Sequence, residues 1–382
     1  MFKEITIIGL GFMGASLAGA LKSLKADIVI NGFDVVQKNI DFCLKNNFID
    51  RAILLNSDGH YCGDAEKKAL DLALELDLDI IIGENFNPST ISNIHSEYDP
   101  TQSDIAVLCI PPKIILKYLF VHKNFLSKFQ LITDIGSIKK EIVSTAKKIG
   151  LNNFIGSHPM CGSDKSGAEN ADIFMFHGKT CIVIEGTAAN GTYNSVIENS
   201  DSADVSKTVK LNKLNITATD NTSISTAGNS INDNAGSNIS VNDGGCFSLN
   251  LFEKTAFFWK TLEMEIVYAG ADFHDYMVGY SSHLPHIVSF CLSKTVLDAA
   301  DANKSLNSLK YIASGFKDTT RIAASSENIW TDIFLLNTDN LISSLDNYIG
   351  NLNKFKMLLE NNDENAINAL IAEISKQRKM LN

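Results

Sequence analysis

Short apolar runs and amphipathic stretches alternate along the first half of the chain. Residues 4–9 form an apolar run that closes on glycine, the pattern of a buried strand. Further runs at 28–30, 80–83, 105–110, 130–135 and 181–185 predict strands of the same kind. Helical patterns lie between them, at 15–21, 37–46, 64–76, 113–120 and 138–149. Strands alternating with helices predict an α/β fold, a doubly wound parallel sheet of Rossmann type with both faces covered. Residues 252–262 predict one more helix and 264–268 one more strand. From Asp272 onward the pattern is helical. Ile342, Leu345, Ile349, Leu352 and Phe355 recur on one helix face, so an all-helical C-terminal domain is expected.

The stretch 186–250 breaks this rhythm. It is dominated by Asn, Ser, Thr, Gly and Asp and reads as a low-complexity insertion, a loop that buries little surface. Its four N-x-S/T sequons, at Asn190, Asn215, Asn221 and Asn238, are what an Asn-rich composition produces by chance. The chain of 382 residues carries 33 Lys+Arg against 44 Asp+Glu, a net charge of −11. Such a balance argues against a nucleic-acid partner and against an anionic membrane surface. No apolar run is long enough to span a bilayer, and the N-terminus lacks the layout of a signal peptide. Seven scattered cysteines form no C-x-x-C pair, which reads as reduced thiols and a cytoplasmic location.

Gly9-x-Gly11-x-x-Gly14 follows the first strand and opens the first helix. In this context Gly9 permits a tight turn, Gly11 lets the backbone approach a pyrophosphate, and Gly14 allows close packing of helix on strand. The helix N-terminus, at Phe12 and Met13, offers free N–H groups to the phosphates. Asp34 lies 20 residues after Gly14, at the end of the second strand. An acid there accepts hydrogen bonds from ribose hydroxyls and repels a 2′-phosphate, so NAD is favoured over NADP. The plain alternatives are a glycine turn and an aspartate that only caps a helix.

Three loops fall at the carboxyl edge of the expected sheet, where such folds bind ligands. Thr133–Ser137 follows a strand; Ser137 suits either an N-cap or a site role. Gly156–Ser163 reads as a turn-rich loop that carries His158, a candidate base or a satisfied structural histidine. Cys109-Ile110-Pro111-Pro112 is placed to close over a cofactor, with the prolines as strand terminators in the plainer reading. The helical region adds His274-Asp275, Ser282-His283-Leu284-Pro285-His286 and the stretch 314–323, followed by Trp330. Within 314–323, Gly315, Lys317 and Arg321 suit either a loop or an anion clamp, because Arg binds carboxylates bidentately. No spacing matches a metal-ligand motif, and no metal is expected.

GLGFMG, DIGSIK, SHPMCGS with the following SGAENA, HD, SHLPH and GFKDTTRIA with its downstream Trp occur in this order. The set resembles the prephenate dehydrogenase family across nearly the whole chain, apart from insertions at about 55–100 and 186–250. Cys161 stands where the family usually has Ala. With no ACT-type domain near the end and no chorismate mutase segment before Met1, the monofunctional form is expected. The resemblance implies NAD-dependent oxidative decarboxylation of prephenate to 4-hydroxyphenylpyruvate, in tyrosine biosynthesis. It implies His158 as the base or hydrogen-bond acceptor, with Ser137 linking it to the substrate hydroxyl and the nicotinamide. Arg321 would pair with a substrate carboxylate, assisted by His274 and Lys317, and Trp330 would pack near the ring. Asp275 would orient His274 or a helix end. Gly9, Gly11, Phe12, Met13, Gly14, Asp34, Pro111 and Ser137 would line the cofactor.

The expected organisation is a dinucleotide-binding domain of 1–185 plus 251–270, the insertion at 186–250, and a helical substrate and dimerisation domain at 271–382 that makes a homodimer. Arogenate as substrate, and a non-catalytic NAD-binding homologue, stay open as alternatives. A β-hydroxyacid dehydrogenase is the nearest enzyme rival, but its K-x-x-x-N pair is matched only by Lys148 and Asn152, across Gly150.

Overall fold

The computed structural model describes residues 2–24, 26–54, 98–162, 165–184, 250–302 and 308–381. The expected strand at 80–83, the helix at 64–76 and the 186–250 insertion, Asn250 excepted, lie outside the described residues. Five strands form a parallel sheet in the order β3-β2-β1-β4-β5. They are β1 (Glu4–Ile8), β2 (Val29–Asp34), β3 (Arg51–Leu54), β4 (Ile105–Leu108) and β5 (Ile132–Asp134). Helices α1 (Phe12–Ser23), α2 (Gln37–Lys45), α3 (Pro112–Val121), α4 (Lys123–Leu126) and α5 (Lys140–Lys148) alternate with them. The near-continuous apolar strands are explained by burial on both faces. In β4, Ile105 and Val107 join the core packed by α1, with Leu17 and Leu21, whereas Ala106 and Leu108 join the opposite core, with Ile115, Leu119 and Ile142. The chain leaves β1 for β2 on one side and returns as β4 on the other. The C-terminal ends of β1 and β4 therefore flank a topological switch point, the ligand crevice of such sheets.

The later strands depart from the expected single sheet. β6 (Ser157–Pro159), β7 (Thr180–Ile184) and β8 (Glu265–Ala269) form a second sheet of three strands. Within it β6 pairs antiparallel with β7, and β7 parallel with β8. The His158 stretch is thus a short strand rather than the turn-rich loop predicted. Its strand character comes from β7, whose Ile182 lies opposite His158. β3 was not foreseen at all. Helix α6 (Leu251–Lys260) opens with a capping box between Asn250 and Glu253, and buries Trp259 against β6.

The C-terminal region is helical. It comprises α7 (Ala271–Val278), a π-turn (Gly279–His283), α8 (Leu284–Ala302), α9 (Ser314–Thr320), α10 (Glu327–Leu336), α11 (Thr338–Glu360) and α12 (Glu364–Lys379). The segment with Lys317 and Arg321 is therefore a helix followed by a 3-10 turn, Arg321–Ala324, and not a loop. An ion pair of 2.8 Å between Lys113 and Asp332 ties α3 to α10. Among the described residues no helix is long and apolar enough to cross a membrane.

Candidate active site

The glycine loop sits at the end of β1. Gly9 has φ +96°, and a Cβ there would collide with the Cys109 carbonyl at the end of β4. A Cβ on Gly14 would overlap the Gly9 carbonyl oxygen, so only glycine lets α1 start so close to the turn. Gly11 differs: nothing lies within 4 Å of where its Cβ would be. Helix α1 has no side-chain cap, so its first N–H groups, from Phe12 and Met13 onward, have no capping side chain to bond. The Phe12 side chain itself is buried in the protein. Asp34 holds the loop in shape. Its Oδ2 accepts from Leu10 N–H at 2.6 Å and from Asn39 Nδ2 at 3.2 Å, and its Oδ1 accepts from Val36 N–H at 2.7 Å. Acceptor capacity remains on Oδ1. Turn, open cradle, uncapped helix and acid together fit a dinucleotide. Pro111 is exposed at the N-cap of α3, on the same sheet edge.

The chemistry candidates collect where β5 and β6 meet α7. His274 and Asp275 are each 1% exposed. A carboxylate only accepts, so His274 Nδ1–H donates to Asp275 Oδ1, at 2.7 Å. The neutral ring then keeps its lone pair on Nε2, and His158 Nδ1–H donates to it at 2.8 Å. This leaves the His158 lone pair on Nε2, without a hydrogen-bond partner among the described residues. Burial pushes His158 well below the ordinary histidine value, and His274, Lys139 and His283 push it further. His274 is also lowered, by burial, against the opposing pull of Asp275. Both rings are therefore neutral near pH 7, as the relay requires.

Asp275 also serves a helix. Its two oxygens accept from Lys139 N–H at 2.8 Å and Lys140 N–H at 2.9 Å, so it caps α5 from outside. Ser137 does not cap that helix; it is half-buried in the turn between β5 and α5 and makes no hydrogen bond among the described residues. Below it lies a buried ion pair between Lys139 and Asp134, both fully buried. Burial pushes Asp134 up and Lys139 down, and their mutual attraction opposes both. Lys139 Nζ also donates to the Ser157 carbonyl at 2.8 Å, and Trp259 Nε1 donates to Ser157 Oγ at 2.9 Å. The strand that presents His158 is thus fixed on both sides.

The substrate candidates divide. Trp330 stacks on His286, with ring centroids 3.4 Å apart, and meets His283 edge-on at 6.0 Å. Arg321 is exposed, makes no ion pair among the described residues, and lies close enough to lower His286. Lys317, one turn earlier, is exposed, and no contact among the described residues ties it to the histidines. The expectation that His274 assists at a carboxylate is corrected, because both of its ring nitrogens are already engaged. His286, beside Arg321, offers an acceptor rather than a donor. Its Nδ1–H donates to Ser282 O at 2.9 Å, which leaves Nε2 open beside Arg321. Sequence reasoning quoted His286 and Asp134 within candidate stretches without giving them a role, and gave Lys139 none. The only signal was their presence in the motifs SHLPH and DIGSIK.

Comparison with known proteins agrees with this arrangement. Residues 66–199 match the nucleotide-binding domain of prephenate dehydrogenase, and residues 270–373 match its dimerization domain. A cyclohexadienyl dehydrogenase of Zymomonas mobilis is 23% identical, covering 100% of this chain and 97% of the relative. A prephenate dehydrogenase of Lactococcus lactis is 24% identical, covering 99% of this chain and 77% of the relative. In fold, the chain is similar to prephenate dehydrogenase from Aquifex aeolicus in complex with hydroxyphenyl propionate and NAD+ (TM-score 0.66, 21% identity, 100% and 99% covered). It is also similar to Synechocystis arogenate dehydrogenase (TM-score 0.58, 19% identity, 99% and 100% covered). With both domain profiles matched in order, the chain belongs to the prephenate dehydrogenase family.

Proposed function

We propose that the chain oxidises prephenate to 4-hydroxyphenylpyruvate, with loss of carbon dioxide and with NAD as acceptor. The observation that carries this reading is the Asp275–His274–His158 relay, which leaves a lone pair on His158 Nε2, next to the contact of Ser157 with Asp134 at the end of β5. Gly9, Gly11, Gly14 and the N-terminus of α1 would hold the pyrophosphate, and Asp34 the ribose, excluding a 2′-phosphate. When bound, NAD supplies the hydride acceptor. His158 Nε2 takes the proton of the ring hydroxyl as the carbonyl forms, and Ser137, without a partner among the described residues, would hold the same hydroxyl. The relay lets Asp275 stabilise the charge that His158 acquires. The ring carboxylate then leaves as carbon dioxide, and its bonding electrons complete the aromatic ring. Arg321 supplies the local positive charge that a dianionic substrate needs on a chain of net charge −11.

Residues 1–185 with 251–270 would form the nucleotide-binding domain, and 271–382 the substrate and dimerisation domain of a homodimer. Cyclohexadienyl and arogenate dehydrogenases among the relatives share the ring chemistry, which leaves the side chain of the substrate as the variable. Rates with prephenate and arogenate, each with NAD and NADP, test the reading. Fast turnover of prephenate with NAD supports it. Turnover of arogenate alone moves the substrate and keeps the mechanism, and NAD binding without turnover of either leaves a non-catalytic homologue.

A further inference from the structure

His283 is a buried titratable group at this site that the reading above leaves unused. It ends the π-turn Gly279–His283 between α7 and α8. Such turns re-aim side chains and recur at functional sites. The residue is 1% exposed, meets Trp330 edge-on at 6.0 Å, and is near enough to His158 to lower it. One of its ring nitrogens is accounted for. Asn337 Nδ2 donates to the Asp275 backbone carbonyl at 2.8 Å and stands 3.0 Å from His283 Nδ1. A carbonyl oxygen only accepts, so this atom of Asn337 is the amide nitrogen, and His283 Nδ1 must be the acceptor. Asn340 Nδ2 confirms the orientation by donating to Asn337 Oδ1 at 2.8 Å. Burial holds His283 down to about 4, so the ring is neutral at working pH and its single proton sits on Nε2. Among the described residues, Nε2 has no hydrogen-bond partner. Folded proteins rarely leave a buried donor unmet.

We propose that His283 Nε2–H is a ligand-binding donor, which takes a carboxylate or hydroxyl oxygen of the ring substrate that His158 deprotonates. The proposal rests on the dehydrogenase reading and adds a residue to it. His158 offers a lone pair and His283 offers a proton, both neutral, with their tautomers set through the same residue, Asp275: its carboxylate acts through His274 and its carbonyl through Asn337.

Two variants of the full chain separate the donor from the packing. In His283→Asn the side-chain oxygen replaces Nδ1 for Asn337, but nothing reaches the place of Nε2. In His283→Gln the amide nitrogen reaches that place. Steady-state rates with prephenate and NAD, and binding of hydroxyphenyl propionate to the NAD-loaded protein, are the readouts. His283→Asn is expected to raise the KM for prephenate and the Kd of the analogue by about 10- to 100-fold, the range for one hydrogen bond to a charged group. The KM for NAD and the Tm should stay as in the wild type, and His283→Gln should recover part of the loss. An unchanged KM in His283→Asn means that Nε2 makes no bond to the substrate, and overturns the proposal while the dehydrogenase reading stands. A wild-type protein that oxidises neither prephenate nor arogenate overturns both. If the Asn variant does not fold, histidine-labelled NMR of the wild type decides. The Nε2–H resonance missing from His283→Gln shifts when hydroxyphenyl propionate binds; a resonance that stays in place sinks the proposal.

Discussion

At the residue scale, the site turns on which atoms carry protons. Asp275 can only accept, so each donor along the line to His158 is determined by the one before it. The carboxylate raises His274, against burial that lowers both rings. A protonated His158 cannot act as base, so activity is lost as pH falls through the value of the relay. Because that value is depressed, the acid limb of kcat/KM should lie below the ordinary histidine range. Asp275→Asn removes the charge and sets an amide N–H against a backbone N–H of α5. We expect kcat to fall at least about tenfold, with the acid limb displaced to still lower pH, as for other acids that orient a catalytic histidine. A pH–rate profile that matches the wild type would remove Asp275 from the relay. Arg321 is exposed and, among the described residues, unpaired before substrate arrives, so its worth is that of a charge-assisted bond, about 1.5–3 kcal/mol. Arg321→Ala should therefore lower kcat/KM for prephenate about 10- to 100-fold and leave the KM for NAD as it was. Equal kcat/KM values would show that another group holds the carboxylate.

At the element scale, the first strand–turn–helix unit separates packing from binding within six residues. Gly14 is needed by the fold, because its Cβ would overlap the Gly9 carbonyl. Gly11 is surrounded by open space, so a methyl group there troubles only what approaches from outside. Gly14→Ala should lower the Tm and abolish NAD binding together, whereas Gly11→Ala should keep the Tm and raise the KM for NAD. A Gly11→Ala protein with normal NAD affinity would place the pyrophosphate elsewhere. This unit was legible in the sequence because its signals are local: a strand ending on Gly9, a helix opening at Phe12, an acid closing β2. β6 was not legible, because Ser157-His158-Pro159 has weak strand character and takes its extended form from β7. The relay was legible only in part. His158 and Asp275 stood out as residue types, but Lys139 meets Asp275 across 136 positions of sequence, and no local pattern records that contact. The π-turn that aims His283 was likewise invisible in a continuous helical pattern.

At the scale of the whole molecule, the helical region leaves apolar surface uncovered. Ile342, Ile349, Leu352 and Leu359 on α11, and Ile371 and Ile374 on α12, are each about half exposed, between 49% and 55%. The sequence marked the α11 positions as one apolar face, and the matched dimerization domain supplies the reason that such a face persists. We expect a dimer in sedimentation at micromolar concentration and a shift towards monomer in Ile349→Asp, where a buried charge has no partner. A wild-type monomer would leave that face unexplained. All three scales meet in one reaction, and the most direct measurement is NADH formation from prephenate by the wild type and by His158→Asn, with NAD binding followed in both. The account predicts fast turnover by the wild type and a fall of about 10²- to 10⁴-fold in kcat for the variant, with NAD affinity preserved. Normal turnover by His158→Asn, or none by a wild type that binds NAD, would contradict it.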